Sequence, residues 1–175
     1  MTMYNDRHHP RDIEVAMAQS MKESLVRASN LAGIKPTSVK LVTELGGGTG
    51  KDSRAILEVY PNAQVQVISY EDERDDDLKT DPRIIFFHGE FVEVLGSGKI
   101  EPADVVVLKD AGPEHGFNQS NIGLLAGAVG EGILITEGDI SGLINDWFYQ
   151  QFRLVVPAEK IYGFSVLGAG VWRVK

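Results

Sequence analysis

Leu41-Val42-Thr43-Glu44-Leu45-Gly46-Gly47-Gly48-Thr49-Gly50 begins as an apolar run carrying an acid and ends in four glycines within five positions. The apolar part reads as a buried strand. Gly46, Gly48 and Gly50 leave no Cβ in the way where the chain must turn sharply and approach a ligand, and Gly47 extends the same bare backbone. From Lys51 to Tyr60 the spacing of Ala55, Ile56 and Val59 is helical. Strand, bare turn and helix make a ligand-binding element, and what sits on the turn decides the function.

Three ligands compete for such a turn, and spacing separates them. A dinucleotide fingerprint wants a third glycine three residues after the second, but those slots hold Lys51 or Ser53. A phosphate-cradling loop needs a glycine five residues before its Gly-Lys pair and a hydroxyl after it, where this chain has Leu45 and Asp52. The pattern that fits is acid-x-Gly-x-Gly-x-Gly, on Glu44, Gly46, Gly48 and Gly50. It resembles the first motif of the class I S-adenosylmethionine (SAM) methyltransferases. An ordinary glycine-rich βα turn is the plainer alternative.

The chain has 175 residues, 43% of them apolar, enough for one domain with a full core and too few for a separate substrate domain. Residues 1–38 are expected to form an N-terminal arm and a covering helix, and 39–175 a Rossmann-like core. A net charge of -8 opposes nucleic acid, so a small-molecule acceptor is the expected partner. The absence of cysteine excludes disulfides and thiolate chemistry. No stretch approaches the ~20 apolar residues of a spanning helix and no signal peptide is evident, so a soluble, cytoplasmic protein without membrane contact is expected.

Along the chain, Ile13, Met17, Met21, Leu25 and Ala28 form one stripe, predicting a helix over Arg11 to Ala32. Strands are predicted at Val39 to Leu45, Gln64 to Tyr70, Arg83 to His88, Asp104 to Leu108 and Gly132 to Thr136. Most are continuously apolar and therefore buried on both faces. Helical patterns at Ser53 to Tyr60, Asn118 to Val129 and Ile140 to Gln151 separate several of them, giving βαβ units in a parallel sheet with helices on both faces. After Phe152, strands at Arg153 to Val156, Ile161 to Leu167 and Val171 to Val174 are expected to follow without a helix, as an antiparallel hairpin. This doubly wound, mostly parallel α/β plan with a C-terminal hairpin is similar to that of the class I methyltransferases from Val39 to Lys175.

The resemblance implies SAM as cofactor, with Glu44, Gly46, Gly47, Gly48 and Gly50 under its methionine part. It implies an acid after the second strand for the ribose hydroxyls. Here Glu71 is the expected residue and Asp72 its rival, unless Ser69 makes a weaker contact; either the strand runs two residues further than usual or the contact is displaced. After the third strand, Glu90 and Phe91 have the chemistry to meet the adenine amino group and cover the ring, while Glu90 also fits a helix start. The run Glu71 to Asp77 is otherwise expected to be solvated.

The loop Leu108-Lys109-Asp110-Ala111-Gly112-Pro113-Glu114-His115 leaves a strand beside the glycine turn, so Asp110 and His115 are the candidate catalytic bases. Turn capping and simple solvation are their plain alternatives. The Asp/Asn-Pro-Pro-aromatic loop of amino-methylating nucleic-acid enzymes is not matched. An FtsJ-like RNA ribose 2'-O-methyltransferase would use a Lys-Asp-Lys-Glu tetrad, of which Lys22 and Asp110 supply only the first half. A metal-dependent O-methyltransferase would collect Asp110, Glu137 and Asp139, whereas capping by Asp139 or Ser141 is the bland reading of that loop. His8 and His9 sit in an arm. Trp147-Phe148-Tyr149 is a candidate surface for a homodimer. A non-catalytic, SAM-binding accessory protein is the alternative from another class.

Overall fold

The structure, a computed structural model, describes residues 11–47, 50–109, 116–137, 142–163 and 169–175, the side chains of 11–19 excepted. In chain order the elements are α1 (Arg11–Leu31), β1 (Leu41–Leu45), α2 (Lys51–Val59), β2 (Gln64–Ser69), α3 (Asp76–Lys79), β3 (Ile84–His88) and α4 (Phe91–Gly96). They continue with β4 (Val105–Lys109), α5 (Ile122–Val129), β5 (Ile133–Glu137), α6 (Asp146–Gln151), β6 (Phe152–Pro157), α7 (Ala158–Tyr162) and β7 (Gly170–Val174). The strands form one sheet of seven in the order β3-β2-β1-β4-β5-β7-β6. β1 to β5 are parallel, and β7 runs antiparallel to both β5 and β6.

The continuous apolar strands have the physical cause the sequence suggests. Successive side chains alternate between two cores: Val105 and Val107 of β4, with Ile133 and Ile135 of β5, enter one, and Val106, Leu108 and Leu134 enter the other. Met21, Leu25 and Ala28 of α1 and Ile56 and Val59 of α2 cover the first face, as the predicted stripe requires. Phe91 of α4, Leu125 of α5 and Phe148 of α6 cover the second.

Two expectations are corrected. Ile161 and Tyr162 belong to helix α7, not to a strand; the expected C-terminal antiparallel hairpin is present as β6 and β7, with α7 in the segment that links them. Ala158-Glu-Lys-Ile-Tyr is good helix-forming sequence after Pro157, and Gly163, at φ +82°, ends it with its N–H on the Glu159 carbonyl (3.0 Å). The helix expected from Ile140 starts instead at Asp146, because the Asn145 side chain accepts from the Phe148 N–H (3.2 Å) and caps it there. The three aromatics of the candidate dimer surface differ in burial, with Trp147 half-buried. Phe148 is fully buried, stacked on Phe152 (4.7 Å) and edge-on to Trp172 (5.1 Å), and of the three only Tyr149 is exposed.

A polar clamp crosses the inner sheet. The buried Gln66 amide donates to the Thr43 hydroxyl and the Glu101 carbonyl (3.0 Å each), and its oxygen accepts from the Glu101 N–H (3.1 Å). Removing it strands three polar partners. Gln66→Leu is therefore expected to lower unfolding free energy by about 2 kcal/mol despite the added apolar volume, read as a lower denaturant midpoint at unchanged slope.

Candidate functional site

The direction of winding reverses between β1 and β4: the chain steps outward from β1 to β2 and β3, and the other way from β4 to β5. At such a switch point the crossover helices diverge and leave a crevice beyond the carboxyl ends of the strands. Both neighbouring strand ends are present here. Leu45 is in register with Ile68 on one side and Leu108 on the other, and the glycine turn leaves β1 at that point.

Gly46 is exposed, at φ +100°, with its N–H on the Ile68 carbonyl (2.9 Å), and only a residue without a Cβ takes that conformation readily. Gly47 has no room for a side chain, since a Cβ there would lie 2.6 Å from Glu44 Oε1 and from Val67 Cγ1. Gly50 is needed for a different reason than ligand approach. At φ +75° it begins α2, and a Cβ would collide with Leu78 (2.7 Å) and Arg74 (2.9 Å) of the chain itself. Gly48 lies outside the described residues, as do Asp110, His115, Asp139, Ser141, His8 and His9.

Beneath the turn, Glu44 is buried, 2% exposed. The Ser53 hydroxyl of α2 donates to Oε2, while among the described residues Oε1 has no hydrogen-bond partner. Burial pushes its carboxyl up from the ordinary 4.5 to about 7; the Ser53 bond opposes this, Asp52 adds to it, and Lys109 and Arg74 oppose it.

The remaining expected ligands spread along the rim. β2 stops at Ser69, which is buried, so it does not run the two further residues to Glu71. Glu71 is exposed in the loop that follows. Asp72 gives both carboxylate oxygens to Arg74 (2.7 and 2.8 Å), whose guanidinium lies over the Phe86 ring at 4.5 Å. Glu90 is exposed at the N-cap of α4. Phe91 is buried, packed against Phe117 and within 3.7 Å of the position a Gly46 Cβ would take, so it floors the turn.

Asp52 and Tyr162, to which the sequence reading gave no site role, complete the rim with Lys109 and with Glu137, which it weighed only as a metal ligand. Lys109 ends β4 and Glu137 ends β5, in register with each other. The Lys109 ammonium meets Asp52 of α2 (3.3 and 3.4 Å), and the Tyr162 hydroxyl of α7 donates to Glu137 Oε1 (3.3 Å). A cavity of about 210 Å³ lies among them. Their signal in the sequence is a charge at the last position of an apolar strand. A larger hollow of about 630 Å³ opens at the opposite rim, but its charges serve the backbone. There Asp104 accepts from the N–H groups of Lys40 and Leu41, and Arg173 donates to the carbonyls of Glu131 and Ala32.

Lys22 donates to Glu58 of α2 (2.7 Å) and lines a groove along α1, not the rim cavity. Among the described residues no group of three histidines or acids is placed to hold a metal ion, and no helix is long and apolar enough to cross a membrane.

Because the folded state holds the Glu44 proton to higher pH than the unfolded chain, the contribution of this group to stability is fully present below pH 4.5 and is lost as pH rises through about 7. At about 1.4 kcal/mol per pKa unit the loss is on the order of 3 kcal/mol. Glu44→Gln, which cannot ionise, is expected to flatten the pH dependence of the denaturant midpoint across this window. Parallel curves for the two proteins would exclude the assignment.

The sequence matches no family model and no curated protein. Solved structures do match. A putative sarcosine dimethylglycine methyltransferase from Galdieria sulphuraria superposes with TM-score 0.51 at 13% identity, over 75% of this chain and 49% of that one. An O-methyltransferase family protein from Burkholderia thailandensis gives 0.47 at 23% identity, over 73% and 42%. A probable spermidine synthase from Corynebacterium glutamicum gives 0.49 at 17%, over 67% and 47%. The chain thus spans less than half the length of each of these three. The Galdieria likeness, with the strand order and the antiparallel β7, establishes that this chain has the class I methyltransferase fold.

Proposed function

We propose that this chain is a SAM-dependent methyltransferase acting on a small molecule, with residues 39–175 as its Rossmann-like core. The observation that carries the reading is the exposed, left-handed Gly46 at the β1/β4 switch point, directly above a buried carboxylate with an unpartnered oxygen. The residues present fit the cofactor. Glu44 and the backbone of Gly46, Gly47, Gly48 and Gly50 would hold its methionine part, an acid after β2 the ribose, and Glu90 the adenine amino group, with Phe91 beneath. When bound, SAM supplies an electrophilic methyl group on a sulfonium sulfur.

Between the rival ribose ligands, geometry favours Glu71. Both Asp72 oxygens already accept from Arg74, and that pairing holds the Asp72 carboxyl below the usual range. Glu71 is exposed beside the end of β2 and can accept from two adjacent hydroxyls at once. Asp110 and His115 remain the proposed bases of the loop after β4. The Galdieria protein is described as a putative sarcosine dimethylglycine methyltransferase, which makes small amines a natural first acceptor panel. An RNA ribose acceptor is disfavoured by the Lys22–Glu58 pair and the net charge of -8.

Calorimetric titration of the purified chain with SAM and with its demethylated product S-adenosylhomocysteine (SAH) tests the reading. Micromolar binding of both is expected, with turnover on an acceptor panel; binding without turnover would indicate an accessory protein, and binding of neither removes SAM from the function. Glu71→Gln should weaken SAH about tenfold, roughly 1.4 kcal/mol, and Asp72→Asn by less. Gly46→Val should abolish SAH binding while the chain stays folded by circular dichroism, because the defect is backbone conformation at the ligand surface.

A further inference from the structure

Around the rim cavity of about 210 Å³ the charges alternate in sign: Lys51 and Asp52 from the first turn of α2, Lys109 from β4 and Glu137 from β5. Tyr162 and Ser24 add hydroxyls. Lys109 and Glu137 are adjacent across the β4–β5 ladder, so a cationic wall and an anionic wall face the same space. Met21 gives the space an apolar side, but a wholly apolar acceptor would leave its ionic groups stripped of water with no polar contact in return. A ligand carrying a carboxylate at one end and a nitrogen at the other replaces the water on both walls. The volume lies below the roughly 300–1,000 Å³ of sites for drug-sized ligands, so that ligand is compact.

We propose that this cavity is the acceptor pocket and that it takes a small α-amino acid, with its carboxylate towards Lys51 and Lys109 and its amine towards Glu137. The inference rests on the SAM reading above and names the substrate class for it. Lys51 borders the pocket from α2, next to the glycine turn, while Lys109 and Glu137 border it side by side as register partners on β4 and β5. That spacing suits a carboxylate and an amine carried on one carbon. Tyr162 is a positioning residue: burial first, and then the charge of Glu137, raise its hydroxyl above the ordinary phenol range, so it stays protonated and donates to Glu137 Oε1.

The wall chemistry selects nitrogen over oxygen. A carboxylate is too weak a base to strip an aliphatic hydroxyl, whereas an amine needs a proton acceptor only once its new bond has formed. The ammonium would first lose a proton to solvent. The neutral amine, donating an N–H to Glu137, would then attack the methyl carbon, the C–N bond forming as the C–S bond breaks and sulfur keeping the electron pair. Glu137 would balance the positive charge that develops on nitrogen until the product sheds its proton to water.

The test uses the full chain loaded with SAH, titrated calorimetrically with amino acids, their decarboxylated amines and their 2-hydroxy acid analogues. Methyl transfer from SAM to each is followed by mass spectrometry. At least one α-amino acid is expected to bind and to be methylated, its decarboxylated amine to bind about tenfold more weakly, and its hydroxy acid to bind without being methylated. Glu137→Gln should keep SAH affinity within about twofold while lowering kcat about a hundredfold, and Lys109→Gln should raise KM for the amino acid more than for the amine. SAH binding with no amino acid bound or methylated, or unchanged kcat in Glu137→Gln, overturns the acceptor assignment and leaves the cofactor reading standing. Failure to bind SAH removes both.

Discussion

A carboxylate buried at the end of the central strand holds the site together. Glu44 lies under its own glycine turn, bonded by the Ser53 hydroxyl to the first turn of α2, and so ties strand, turn and helix at one point. Its burial is costly, which is why its carboxyl is pushed up to about 7. The rest of the sheet bears that cost through two apolar cores that leave the strand no other position. A buried acid with an unpartnered oxygen is a local flaw in packing terms, and such flaws concentrate where a fold meets its ligand.

The rim above it follows from topology. Because β1 and β4 are neighbours from which the chain winds in opposite directions, their carboxyl ends open into one crevice. Apart from the buried Glu44 of β1, the charges here stand at the last position of their strands, Lys109 of β4 and Glu137 of β5. Inside the sheet a charge would be desolvated on both faces; at the rim it meets Asp52 or Tyr162 instead. The glycine turn and the rim cavity are therefore adjacent, as the proposed transfer between two bound molecules would require.

Much of this was legible in the residues. Continuous apolar runs such as Val105-Val-Val-Leu admit only burial on both faces, and the stripe through Met21, Leu25 and Ala28 admits one covering helix face. Local chemistry misled the reading where two patterns overlap: Ile161 begins an apolar run that looks like a strand, yet Ala158 to Tyr162 has helical propensity and Gly163 stops it in the left-handed region. Gly50 looked like a glycine for a ligand, but it makes room for Leu78 and Arg74. The purpose of a missing Cβ cannot be read from sequence, because the atoms it would strike come from elsewhere in the chain.

By itself the sequence determined the class of fold and the place of the glycine turn, since hydrophobic periodicity and glycine spacing are local properties that survive without a tertiary context. It also determined which acids stand near the strand ends. Only the tertiary structure decided which of them are engaged: Asp72 is held by Arg74 while Glu71 is exposed, and Lys22 is drawn to Glu58. The cavity between Lys109 and Glu137 is of the same kind, since its walls come from α1, α2, β4, β5 and α7, separated by up to most of the chain. Charge pairing acts over a few ångströms of space regardless of distance along the backbone, so the folded chain sets the partners and the sequence alone does not.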